Sequence, residues 1–386
     1  MPTNFSPSDS AVNTLISSID IQSYDKTRNH LGGKVTCLSP YLTHGFVTIP
    51  DLFEKLPKLT LADKLAFEFG WREFFQHVWH RSGDAIFKDM RAGLPGIRYQ
   101  RTLPEDIREG RTGLRVIDNA VATLYQTGYL HNHARMWLAS YVVHLRKVHW
   151  RVAADWLYGH LLDGDLASNH LSWQWVGATF SSKPYLFNAE NVAKFAPAAW
   201  HCRDSVLDTS YEELEQIART QTVLEPVKVK AMFGSPEPAL LGIPPDMPAN
   251  PIISETRAVK LIHPWMLEDT SFEGLRLGVI HLPFHARFPW SQQRWDFMLT
   301  RMRAVTDQIF IGDLSELRES LAAATSVQSV ATFNPGYQQY LQKLCSDLQD
   351  VRRAFADPVQ PCRSFSAFWS ANTPAKQDAQ PRARHR

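Results

Sequence analysis

Seven prolines stand between Pro226 and Pro251, and the apolar pattern has a different period on either side of them. Neither a helix interior nor a central strand tolerates that density, because each ring fixes φ and removes a backbone donor. Residues 223–256 are therefore expected to form an extended Pro-rich linker between two differently built regions. Upstream, residues 1–222 carry mostly helical spacing. Arg115 to Gln126 places Val116, Ile117, Ala120, Val121 and Leu124 on one face, and Leu61 to His80 and Trp137 to His149 predict two more helices. Downstream, Ala258–Ile262, Leu275–Leu282, Gln308–Ile311 and Val327–Phe333 read as short strands. Helical spacing returns over Ser291–Val305 and Leu314–Ala324. The expected architecture is α plus α/β: an all-helical domain followed by a small parallel α/β domain at 257–345. Residues 346–374 form a connecting segment, and 375–386 a basic tail expected to be disordered.

At 386 residues the chain is long enough for two cores, and 44% hydrophobic with 21% charged residues is ordinary for a globular protein. A net charge of +2 permits nucleic-acid binding without arguing for it. Cys37, Cys202, Cys345 and Cys362 form no C-x-x-C pair, which predicts reduced thiols and no iron–sulfur cluster. No apolar run approaches the roughly 18 residues of a membrane span, and Met1–Asp20 has no signal-peptide core. The expectation is a cytoplasmic monomer with no membrane partner. His131-x-His133 has no carboxylate or cysteine at ligand spacing, so no metal site is expected.

The densest polar and aromatic cluster is Leu162 to Trp175, with Asp163, Gly164, Asp165, Asn169, Trp173 and Trp175. Buried carboxylates need partners, and a flat, hydrogen-bonding, redox-active ligand between acceptors and aromatic faces would supply them. With the upstream His131-Asn132-x-x-Arg135-Met136, this run resembles the flavin core of the photolyase/cryptochrome family, written H-N-x-x-R-M, L-x-D-G-D-x-A-x-N and W-Q-W. Val35 to Leu42 resembles its phosphate loop T-S-x-L-S-P-Y-L, with one residue fewer between hydroxyls and Cys37 substituted. Glu68 to Phe74 resembles E-L-x-W-R-E-F, and Phe5 to Asn29 resembles the stretch that ends Tyr24-x-x-x-Arg28-Asn29.

The α/β region resembles the same family's N-terminal antenna domain. Ser291 to Leu299 is similar to its S-x-x-R-x-x-F-L helix, Gly312-Asp313-Leu314 to its G-D-P step, and Asn334 to Tyr337 to its N-x-x-Y. Arg363 to Trp369 is similar to the piece that normally leads into the flavin domain. The family's pieces are thus present in rotated order, which implies a circular permutation. The family's first-strand W-F-R-x-D-L-R is missing, and an antenna chromophore is doubtful.

The resemblance implies FAD as cofactor, held by Tyr24, Thr36, Leu38, Ser39, Arg72, Asn132, Arg135, Asp163, Gly164, Asp165 and Asn169. In it Arg135 pairs with Asp163, and Asn169 sits near the flavin N5. Glu68, Trp71, Asn132, Met136 and Trp175 map to the positions that surround a pyrimidine dimer, and with Asn169 they form the expected catalytic set. The six-four enzymes carry histidines where Asn132 and Met136 stand. The implied activity is of the deoxyribodipyrimidine photo-lyase type, a carbon–carbon lyase acting on damaged DNA. On blue light an electron enters a flipped-out dimer, which splits and returns it. Trp173 and Trp150 match the first two members of the photoreduction chain, while Ile97 stands at the third with Tyr99 nearby. His170, often Asn in relatives, reads as a structural histidine. The alternatives are a cryptochrome-like flavin blue-light sensor without repair activity, and a flavoenzyme with another substrate. Arg98, Arg101, Arg108, Arg111 and Arg115, and Arg146, Lys147 and Arg151, are candidate phosphate-binding patches.

Overall fold

The computed structural model describes residues 4–226 and 234–373, apart from Asp246, Pro248, Ile252 and Ser254. Its first region is helical throughout and its second is built on a parallel sheet, as the change of period predicts. The helix Lys64–Ser82 buries Leu65, Phe69, Phe74 and Val78, and also the polar Glu73 and His77. Arg115–Thr127 spans the expected face and ends at Gly128, whose φ is 64°. The helix expected over Trp137–His149 is displaced. It runs Asn132–Ser140 with His131 as N-cap, and closes in a π-helical turn at Tyr141–Leu145. Lys147, at φ 52°, breaks it, and Trp150 opens the next helix, Trp150–His160.

The sheet contains β1 (Val259–Ile262), β2 (Leu275–His281), β3 (Gln308–Gly312), β4 (Val327–Val330) and β5 (Asp347–Gln349). The order is β3-β2-β1-β4-β5 with every neighbour parallel. Leu314–Ala324 yields only a 3-10 turn, Leu314–Glu316, and a short helix, Leu317–Ser320. β5 carries the domain past the expected boundary at 345. The order in which strands are added reverses between β1 and β4, which run parallel, and the crevice at their C-terminal ends faces Thr43, Arg72 and Gln76 of the helical domain.

The described part of the Pro-rich stretch is docked on both domains, a correction to the picture of a spacer. Ser235 N–H donates to the Glu109 carbonyl at 2.8 Å, and Glu237 accepts from Arg108 at 2.6 Å. Leu240–Leu241 pairs with Trp290–Ser291, and Asn250 exchanges two hydrogen bonds with Ile311. One apolar cluster runs through both domains, with Phe46 stacked on Phe297 at 5.4 Å. Arg301 adds a two-pronged pair to Asp9.

The C-terminal segment returns to the helical domain. Glu73 accepts the N–H groups of Ala354 and Phe355 at 2.9 and 3.0 Å, and Asp357 contacts His77 and His80. The helix Phe365–Asn372 then buries Phe365 and Phe368 against Lys64–Ser82, each contact worth about 1.5–3 kcal/mol. The tail expected to be disordered lies outside the described residues.

Candidate functional site

A cavity of about 310 Å³ opens between Lys64–Ser82, Asn132–Ser140 and Leu166–Val176. Its wall gathers Tyr24, Thr36, Ser39, Glu68, Trp71, Arg72, Asn132, Arg135, Met136, Asp163, Asp165, Asn169 and Trp173. These candidates come from five separate stretches of chain, so their convergence is a property of the fold. Four others stand outside the wall. Leu38 is buried behind it, and Trp150 lies deeper in the helical core. Trp175 is half-buried against Tyr185 at 5.8 Å. Gly164 faces the α/β domain, where a side chain would strike Arg294. Gly164 thus packs against the other domain and is not among the residues that line the cavity.

Asp163 lies at the base of the wall and is almost sealed from solvent. Arg135 Nη2 donates to both its oxygens, at 3.0 and 2.7 Å, and Ser39 Oγ donates at 2.6 Å. The Arg135 pairing is the one the resemblance implies, and Ser39 is a further partner that the protein itself supplies. Asp165 caps the Leu166–Val176 helix through Ser168 N–H at 2.7 Å and accepts from Gln76 at 2.8 Å. Arg72 reaches Thr43 Oγ1 at 3.1 Å, which in turn donates to the Asp163 carbonyl at 3.2 Å. Asn169 donates to the Ala154 carbonyl at 2.8 Å, leaving its side-chain oxygen as the acceptor available to a ligand.

At the mouth, Glu68 meets Arg28 Nε at 3.4 Å. Burial pushes the Glu68 carboxyl upward, and the Arg28 charge pulls the other way. Asn132 Nδ2 lies 3.7 Å from the Met136 sulfur, so the two share one turn of helix. Trp71 is backed by Phe365, Phe75 and Phe74. Trp150 Nε1 donates to Asp89 at 2.6 Å, and its ring stands 5.7 Å from His149, which neighbours Tyr99 at 6.4 Å. His170 is buried between the Leu166 carbonyl and Asp155, both at 2.9 Å, in the structural role expected. His131 and His133 are both pushed down to about 4, first by burial, and so remain neutral imidazoles.

Thr43, Gln76 and Arg28 were missed as site residues. Gln76 follows Arg72 by one helical turn, a spacing that could have found it. Arg28 stood in a quoted motif without a role. Thr43 had no signal of its own.

The chemistry of this wall suits a flavin dinucleotide. The Ser39–Thr43 helix opens on the cavity without a side-chain cap, and since Pro40 carries no N–H, the Ser39 amide is the donor it offers to phosphate. Arg72 supplies a cation nearby, and Asn169 and the aromatic wall provide for a flat ring.

Comparison with known proteins agrees. Residues 65–223 match the FAD binding domain of DNA photolyase. The deoxyribodipyrimidine photo-lyase of Streptomyces griseus is 33% identical over 159 residues, 40% of this chain and 35% of that protein. The chloroplastic/mitochondrial cryptochrome DASH of Oryza sativa subsp. japonica is 31% identical over 177 residues, 42% of this chain and 29% of its own. A solved archaeal photolyase from Sulfolobus tokodaii, with two FAD molecules, is 24% identical at a TM-score of 0.44, covering 56% of this chain and 51% of that one. The chain thus spans about a third of the length of these two curated relatives. Over residues 65–223 the helical domain is similar to the FAD binding domain of DNA photolyase. Its cofactor is FAD. No described helix is long and apolar enough to cross a membrane.

Proposed function

We propose that this protein is a light-driven repair enzyme for pyrimidine dimers in DNA. The observation that carries the reading is that Glu68, Trp71, Asn132 and Met136 share one cavity with Asp163, Asp165 and Asn169. A dimer-binding set beside a flavin-binding set is what electron transfer over a short distance requires. FAD bound there supplies an electron on excitation by blue light.

The chain's own residues do the rest. Asp163, fixed by Arg135 and Ser39, and Asn169 orient the ring and present acceptors to it. Glu68, on the cavity wall beside Arg28, is placed to hydrogen-bond the dimer as charge develops there. Trp71 offers one aromatic face to the cavity, Met136 an apolar contact and Asn132 an amide. Trp173 on the wall and Trp150 behind it belong to one packed cluster and are the route by which electrons are replenished. The C-terminal segment packs on the same helix that carries Glu68 and Trp71. That placement supports a circularly permuted order, with the connecting segment 346–374 trailing the domain it normally precedes.

A light sensor is the second reading, favoured by the cryptochrome DASH relative. Illuminating the reduced, FAD-loaded protein with thymine-dimer oligonucleotide, single- or double-stranded, separates the two. Repair predicts light-dependent loss of dimer by chromatography and none in the dark. A sensor predicts bound FAD with no loss on either substrate.

A further inference from the structure

Arg294 belongs to the α/β domain, on the helix Gln292–Val305, and is fully buried. Its guanidinium crosses into the helical domain. Nη1 donates to the Tyr158 carbonyl at 2.8 Å, and Nη2 to the Gly164 carbonyl at 2.5 Å. The Trp290 ring covers it at 4.0 Å and the Tyr158 ring at 4.6 Å.

Gly164 is the residue between Asp163 and Asp165. A Cβ on it would lie 2.3 Å from Arg294 Nη1 and 2.6 Å from the Tyr158 carbonyl oxygen. Glycine is therefore demanded here by an arginine arriving from the other domain. The Asp163 carbonyl is held as well. Thr43 Oγ1 donates to Asp163 O at 3.2 Å, and His44 Nε2 faces Leu162 O at 3.0 Å. The other nitrogen of His44 faces Pro264 O of the α/β domain at 2.7 Å. A planar, two-pronged donor fixes orientation as well as distance, which a point charge does not.

We propose that Arg294 is a positioning residue for the flavin site. It holds the Asp163–Asp165 loop through the Gly164 carbonyl, so the α/β domain sets the geometry and affinity with which FAD is bound. The proposal rests on the reading of the cavity as the FAD site.

The test uses the full chain with Arg294→Met, Arg294→Lys, Gly164→Ala and Asp9→Asn. The last removes an interdomain pair that does not itself touch the loop. FAD affinity is measured by flavin fluorescence quenching, and ring geometry by the visible circular dichroism of bound flavin. Arg294→Met is expected to weaken FAD binding roughly tenfold or more and to alter the dichroism, with partial rescue by Lys. Asp9→Asn should lower the thermal midpoint and leave both flavin readouts alone. Should Arg294→Met not fold, Gly164→Ala reports the same displacement by pushing the guanidinium away. Wild-type affinity and dichroism in both Arg294→Met and Gly164→Ala would overturn the proposal. Equal weakening by Asp9→Asn would overturn it too, since any loosened domain contact would then suffice. Wild-type protein that binds no FAD would instead overturn the site reading beneath it.

Discussion

Phe365 lies flat on Trp71, with ring centroids 4.0 Å apart and planes 9° from parallel. The C-terminal helix thereby backs Trp71, one of the residues of the cavity wall, on the side where the dimer is proposed to sit. Trp369, one turn along, approaches Gly70 so closely that a Cβ there would lie 2.4 Å from its ring.

Gly70→Ala weighs two effects of opposite sign. Alanine in a helix interior gains about 1 kcal/mol over glycine. Against that, overpacking a rigid indole costs about 1–3 kcal/mol. The clash should win, because two ring carbons of Trp369 must move together. Urea unfolding is expected to show a net loss of stability and earlier proteolysis of the C-terminal segment. A stabilised variant would contradict the packing described.

Arg135 and Asp163 should not be equivalent. The Asp163 side chain is 3% exposed and that of Arg135 24%. Removing Arg135 strands an almost sealed carboxylate, at a cost of about 3–5 kcal/mol, whereas Asp163→Asn leaves a cation that can reach water. Denaturation of the cofactor-free protein should therefore rank Arg135→Met as the more damaging. The reverse ranking would contradict the burial assigned to Asp163.

Several buried histidines make the fold sensitive to acid. Burial and the charge of Arg294 lower His44 to about 3, and burial lowers His131, His133, His144 and His263 to about 4. An unfolded histidine titrates near 6.5. The unfolded chain therefore binds more protons between pH 6.5 and 4, and stability falls as pH drops through that window. Each group contributes a loss on the order of a few kcal/mol by pH 4. The thermal midpoint should be flat above about pH 6.5 and fall steeply below it. A constant midpoint from pH 7 to pH 5 would contradict this.

Trp150→Phe should leave FAD affinity unchanged, since Trp150 is not on the cavity wall. Photoreduction of the bound flavin, followed by absorbance under blue light, is expected to slow by tenfold or more. Repair by chemically reduced protein should persist. An unchanged photoreduction rate would show that electrons arrive another way, for instance without passing Trp150 toward Tyr99.

What the sequence revealed depended on where its signals were confined. Long helices with a polar face were legible. The segment Trp137–His149 was not, because residues 137–148 are buried on all sides. With Ser140, His144, Arg146 and Lys147 buried among the apolar residues, the pattern has no solvent face from which to read the π-turn at Tyr141 or the break at Lys147. β5 is three residues with exposed ends, too short and too polar for a strand pattern. In the site, residues sharing one motif were found together. Contacts that close over long separations, such as Ser39 with Asp163 or Arg294 with Gly164, left no local trace.

The central claim is that one cavity holds FAD and presents a dimer to it. Wild type, Glu68→Ala and Asn132→Ala should be loaded to equal FAD occupancy, reduced and illuminated with thymine-dimer oligonucleotide. The expected result is light-dependent dimer loss in wild type and at least roughly tenfold slower loss in each variant. Equal rates in all three, or no loss in wild type with FAD fully bound, would contradict it.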